Sequence, residues 1–63
     1  MPFIDINLWK GRSREQKKDL IKRVSREVAE CIKCPLESVQ VIVTEIDKRD
    51  WGVGGITGDE LAK

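Results

Sequence analysis

A single amphipathic helix lies between two strand-like segments, and one helix can cover only one face of a sheet. In Phe3-Ile4-Asp5-Ile6-Asn7-Leu8-Trp9 the apolar Ile4, Ile6 and Leu8 alternate with Asp5 and Asn7. That is the period-2 pattern of a strand with one buried face. Pro2 shares the apolar face, whereas Phe3 and Trp9 interrupt the polar one at its two ends, as if another subunit covered it. Ser13-Arg14-Glu15-Gln16 has capping-box order, in which serine and glutamine each satisfy an open backbone N–H. Leu20, Ile21, Val24, Val28 and Ile32 then recur at helical spacing, so a helix is expected over 13–33, stopped by Pro35. Residues 38–46 read Ser-Val-Gln-Val-Ile-Val-Thr-Glu-Ile, apolar on both faces as in an interior strand. Strands over 2–9 and 38–46 joined by that helix predict a parallel β-α-β unit. The tail carries four of the five glycines and predicts a hairpin over 50–58, with Trp51 and Val53 as its apolar contributions. Residues 1–63 form one α+β domain whose second sheet face needs a partner.

Length sharpens that need. A chain of 63 residues buries only roughly 60% of its unfolded surface and commonly requires staples, metal or oligomerisation. Two cysteines and no histidine supply neither a disulfide framework nor a closed zinc site, which leaves oligomerisation. Twelve basic against eleven acidic residues give a net charge of +1, too balanced for nucleic acid or an anionic membrane as main partner. Neither a signal-peptide core nor a membrane-spanning run is present, so a soluble, cytoplasmic protein is expected.

Several motifs have plain structural readings. Gly52, Gly54, Gly55 and Gly58 do not match G-x-G-x-x-G, and no useful helix follows them. Cys31-Ile32-Lys33-Cys34 falls at a helix C-terminus, where the dipole disfavours thiolate. The basic positions of the helix are interrupted by Glu15, Asp19, Glu27 and Glu30, as on a solvated face. Without histidine, catalysis must draw its base from a carboxylate, a lysine, a cysteine or the amino terminus. Pro2 is the notable candidate. Removal of Met1 would make its nitrogen a terminal amine, one of few groups that titrate near neutrality; a proline at a strand start is also ordinary packing. Residue by residue, Pro2, Arg12 and the Trp51 hairpin are compatible with a catalyst or with a non-catalytic oligomeric scaffold.

Pro2 behind Met1, Gly-Arg-Ser-Arg-Glu-Gln-Lys-Lys-Asp-Leu-Ile, Cys-Pro-Leu-Glu-Ser-Val-Gln-Val-Ile-Val-Thr-Glu-Ile and Trp-Gly-Val-Gly-Gly together resemble the 4-oxalocrotonate (2-hydroxymuconate) tautomerases. The likeness runs without a gap from Pro2 to about Gly55. It implies a homohexamer, a trimer of dimers, in which paired β-α-β subunits form a four-stranded sheet with helices on one face. It also implies keto–enol tautomerisation of unsaturated 2-hydroxy or 2-oxo acids such as 2-hydroxymuconate, as in aromatic catabolism, with no cofactor or metal. Pro2 would be the general base. Arg12 would grip a substrate carboxylate from a different subunit, through its bidentate fork. Trp51 would stand where the family has phenylalanine, walling and drying the pocket, and Leu8 is counted among the substrate-binding positions.

One position departs from the family pattern. The second active-site arginine of the family corresponds to Gln40, a donor without charge. A charge-assisted hydrogen bond is worth about 1.5–3 kcal/mol against about 0.5–1.5 for a neutral one, so the transition state should be held roughly tenfold less tightly. Arg49, near Trp51, is the candidate substitute cation. The alternative within the superfamily is a dehalogenase or decarboxylase, for which Asp5 and Asn7 do not supply the extra acidic and basic groups.

Overall fold

A computed structural model describes residues 1–61; positions 62 and 63 of the domain expected over 1–63 lie outside the described residues. The elements follow the order β1 (Phe3–Trp9), α1 (Arg14–Ile32), β2 (Gln40–Ile46), β3 (Gly52–Val53), β4 (Ile56–Thr57) and a last helical turn, α2 (Gly58–Leu61). Strands β1 and β2 pair in parallel, with Phe3 opposite Gln40 and Trp9 opposite Ile46. The ladder is closed at its ends by Gln40 N–H donating to the Pro2 carbonyl and Lys10 N–H to that of Ile46, both at 3.0 Å.

The helix begins as its sequence dictates. Ser13 Oγ accepts from Gln16 N–H at 3.1 Å and Gln16 Oε1 accepts from Ser13 N–H at 3.0 Å, a complete capping box. Its end falls short of the predicted 33. Lys33 turns left-handed with φ 57°, and the N–H groups of Lys33 and Cys34 both close on the Ala29 carbonyl. Proline at 35 disfavours helical backbone at Cys34, so the chain unwinds before reaching it.

The second strand also starts later than the expected 38, at Gln40. Leu36–Ser38 forms a 3₁₀ turn, in which both the N–H and the hydroxyl of Ser38 donate to the Pro35 carbonyl, at 3.1 and 2.9 Å. The Ser38 N–H is thereby lost to the ladder. In the tail, the turn between β3 and β4 consists of Gly54 and Gly55, with φ of 60° and 84°. Two successive positive φ values are what a tight two-residue hairpin of matching twist requires, and only glycine adopts them freely. The hairpin strands therefore occupy 52–57 of the expected 50–58; Asp50 belongs to a preceding 3₁₀ turn and Gly58 to α2.

Packing divides the sheet into two unequal faces. Ile4, Ile6 and Leu8 of β1 and Val41 and Val43 of β2 are half-buried, as are Leu20, Val24 and Val28 of α1. Lys17 of α1 reaches across to Glu45 of β2 at 2.7 Å. On the opposite face Phe3 is 58% and Ile42 48% exposed. No hydrophobic side chain among the described residues is fully buried. The radius of gyration is 14.5 Å, against about 11 Å for a self-contained globule of this length.

Candidate active site

The two ends of β1 carry different chemistry. At its start, Pro2 is half-buried and hydrogen-bonded through its carbonyl to Gln40. The Gln40 side chain is exposed and its Nε2 lies 3.4 Å from the Met1 sulfur. With Met1 attached, the Pro2 nitrogen is an amide and has no basic lone pair. Once exposed as a secondary amine it would be a weak base near neutrality.

At the far end of β1 an open cavity of about 270 Å³ is lined by Asn7, Leu8, Trp9, Arg12 and Trp51. Strand, turn and hairpin each contribute. Arg12 stands between the end of β1 and the Ser13 cap, and it forms no ion pair with any described residue. Trp51 follows a 3₁₀ turn over Lys48–Asp50 that is capped by Asp47. Its indole meets Trp9 edge to face, with ring centroids 6.3 Å apart and planes at 89°, a favourable aromatic geometry. Lys48 Nζ lies 5.0 Å from the centre of the Trp9 ring, within cation–π range.

Gly58 locks this arrangement. Its N–H donates to the Trp51 carbonyl at 2.7 Å, and a β-carbon there would meet the Lys48 carbonyl at 2.8 Å and the Trp9 ring at 3.0 Å. The root of the hairpin therefore seats on Trp9 of its own chain. Its outer residues Val53 and Ile56 remain about half exposed, at 54% and 49%.

The expected site residues thus fall into two groups. Leu8, Arg12 and Trp51 share one cavity, whereas Pro2 and Gln40 stand at the opposite end of the strand, roughly 20 Å away at about 3.3 Å per residue. Arg49 does not line the cavity. Its Nε and Nη2 donate to the two carboxylate oxygens of Asp47 at 3.1 and 3.0 Å, which holds the Asp47 carboxyl down at about 2 and raises the guanidinium pKa. Asp47 itself also caps the Arg49 N–H at 2.9 Å. Arg49 as a substitute cation would have to abandon this clamp. The other charged contact near the sheet, Lys17 with Glu45, likewise lowers the Glu45 carboxyl through the lysine hydrogen bond.

Sequence reading missed Trp9. Its signal was the large aromatic interrupting the polar face directly before Lys10-Gly11-Arg12, attributed there to cover by another subunit. Within the protomer, part of that cover at Trp9 comes from this chain's own tail. Leu8 does touch the cavity, but it belongs to the half-buried Ile4–Ile6 face.

The cavity pairs an anion-binding guanidinium with flat apolar walls, an arrangement suited to a planar organic acid. Fold and cavity define a class of small subunit: a β-α-β ribbon with a hairpin tail, incomplete by itself. The family model for tautomerase enzymes matches residues 2–57. The 2-hydroxymuconate tautomerase of Stutzerimonas stutzeri is 46% identical over 63 residues, spanning 100% of both chains. That of Comamonas testosteroni is 38% identical over 63 residues, again 100% of both. An apo structure of unfused 4-OT superposes with a TM-score of 0.92 at 37% identity, covering 95% of this chain and 98% of that one. A heterohexamer 4-oxalocrotonate tautomerase from Chloroflexus aurantiacus gives a TM-score of 0.91 at 38% identity, over 97% and 98%. The chain belongs to the tautomerase family, and it is an isomerase.

Proposed function

We propose that this enzyme interconverts enol and keto forms of unsaturated 2-hydroxy and 2-oxo acids such as 2-hydroxymuconate, with Pro2 as general base once Met1 is removed. The reaction moves one proton. The enol O–H bond breaks, a C–H bond forms at carbon, and the double bonds shift to leave a ketone; nothing is oxidised or reduced. A proline amine serves this shuttle because it is neutral near working pH yet basic enough to abstract a proton, and its ring restricts how the nitrogen is aimed. Apolar surroundings and a neighbouring guanidinium both favour the neutral amine. Arg12 holds the carboxylate, Leu8 and Trp51 bound the chain, and Gln40 offers a neutral donor beside Pro2.

The observation that carries this reading is Arg12, without an ion pair among the described residues, in an aromatic cavity at one end of the strand that Pro2 precedes. The ends cannot meet within one protomer, so the working site is composed from neighbouring copies in a homohexamer, a trimer of dimers. The uncovered sheet face, the extended shape and the absence of a buried apolar core among the described residues support that assembly, as does the family's heterohexamer from Chloroflexus aurantiacus.

The test is turnover of 2-hydroxymuconate by protein whose N-terminus has been confirmed by mass spectrometry as Pro2. Replacing Pro2 by alanine is expected to reduce kcat by at least about 10²-fold, the usual contribution of a positioned base, with the oligomer intact. Equal rates would remove proline from the mechanism.

A further inference from the structure

We propose that the site selects acids with a single carboxylate and a planar apolar tail, an aryl ring in the simplest case, and that Trp9 is a specificity determinant for that tail. This rests on the tautomerase reading and names its substrate class more narrowly.

Three observations converge. The first is the cation inventory. Of the five side chains lining the cavity, Arg12 is the only charged one. Among the nearby cations, Arg49 is clamped by Asp47 through two hydrogen bonds, and Lys48 sits against the Trp9 ring without lining the cavity. At the opposite strand end, the polar side chain beside Pro2 is the neutral amide of Gln40. Among the described residues that line the cavity or stand beside Pro2, Arg12 is the one cation, enough to hold one carboxylate.

The second observation is the wall. Trp9 and Trp51 meet at 89°, so their rings form a right-angled corner of apolar surface. A ring face is electron-rich and its edge electron-poor. A second carboxylate pressed flat against the ring faces would lose water without a hydrogen-bond donor from those faces, an unfavourable exchange. An aryl or extended diene tail would lose only apolar hydration and gain offset or edge-to-face contact with the indoles. The volume, about 270 Å³, suits a small planar acid and lies near the low end of ligand pockets.

The third is that this corner is built rather than incidental. Gly58 lies against the Trp9 ring so closely that any side chain would collide with it, and the same residue's N–H holds the Trp51 carbonyl at 2.7 Å. One residue thereby packs on the Trp9 ring and anchors the Trp51 backbone. Trp9 and Trp51 are also the chain's two tryptophans, so its indole fluorescence reports on this cavity alone.

The experiment compares kcat/KM for the enol of phenylpyruvate with that for 2-hydroxymuconate, using the Pro2-terminated oligomer. The monoacid is expected to be preferred by about tenfold or more. Trp9→Leu should narrow that preference at least fivefold, chiefly by raising KM for the aryl acid, while Trp9→Phe retains most of it. Gln40→Arg should raise dicarboxylate kcat/KM by about tenfold, the difference between a neutral and a charge-assisted contact. In parallel, 3-phenylpropanoate should quench the indole fluorescence at lower concentration than glutarate does. A wild-type preference for the dicarboxylate, or tighter quenching by glutarate, overturns the proposal. If Trp9→Leu does not assemble, Trp9→Phe and the wild-type fluorescence comparison still decide it. Pro2→Ala separates the two readings. Activity toward both acids that survives this change refutes the tautomerase mechanism, whereas loss of both with the wrong substrate preference refutes only the selectivity.

Discussion

The start and the finish of β1 differ as much as any two regions of this molecule. At the start, Pro2 and Gln40 carry no side-chain charge and are joined by one backbone hydrogen bond, with the exposed Gln40 amide resting on the Met1 sulfur. At the finish, Arg12 brings charge, and Trp9, Trp51 and Gly58 interlock into a wall. Freed of Met1, the first end would present a nitrogen able to carry a proton; the second presents a guanidinium beside apolar aromatic walls. On the proposed mechanism neither end is a site alone: the extended strand holds them apart, and complementary halves would come from separate copies. For a chain this short, assembly and catalysis would then be one requirement, since the apolar face that calls for a partner would also bring the missing half of the site.

Mixing variants is the strongest way to break that contrast. Arg12→Ala is expected to lower kcat/KM by roughly 10- to 100-fold, the worth of a charge-assisted carboxylate contact, and Pro2→Ala by more. Co-assembled, the two inactive proteins should regain activity, with roughly one site in four pairing an intact proline with an intact arginine under random mixing. Mixed oligomers that stay inactive would show that both groups act from a single chain. Gly58→Ala tests the wall end only. The added methyl meets backbone as well as ring, so overpacking of about 1–3 kcal/mol is expected, read as a lower unfolding midpoint at fixed protein concentration together with changed indole fluorescence. A neutral effect would mean the hairpin is held elsewhere. Ser13→Ala should cost about 1 kcal/mol by opening the helix cap, measurable by denaturant titration with KM nearly unchanged.

The smallest expected effect is acid sensitivity. Asp47, lowered from 3.8 to about 2 by the Arg49 hydrogen bonds, and Glu45, lowered from 4.5 by Lys17, both have depressed carboxyl pKa values in the fold. Their stabilisation is fully present above the unfolded pKa near 4 and is lost as pH falls through the folded values, toward pH 2 for Asp47. Both pairs are solvent-accessible, so the slope should be shallow and should flatten further in salt. Asp47→Asn should remove part of it and release Arg49; a dicarboxylate turnover that then rises would mark Arg49 as a usable second cation.

Much of the fold was legible because its signals are local. Alternation in β1, the Ser13–Gln16 box and the β-branched run of β2 each depend on neighbours within a few residues. Boundaries slipped where two local preferences competed: Pro35 unwinds the helix ahead of itself and then draws Ser38 into a turn that strand propensity had assigned to β2. Among the candidate site residues, Arg12, Trp51 and Leu8 emerge in one cavity. Arg49 is held by Asp47 two residues earlier, a pairing that spacing alone leaves open because either side chain could turn to solvent instead. Trp9 was missed because period-2 reasoning assigns a residue to a face without saying what covers that face.

From its order of residues alone, the chain determines a strand, a capped helix, a second strand and a glycine-turned hairpin, since backbone preferences and hydrophobic spacing act over short range. Only the folded arrangement decides that the tail seats on Trp9, that Arg49 is occupied while Arg12 has no ion pair among the described residues, and that proline and arginine stand at opposite ends of one strand. Those outcomes depend on distances between residues far apart in the chain, which side-chain packing sets and local pattern does not encode.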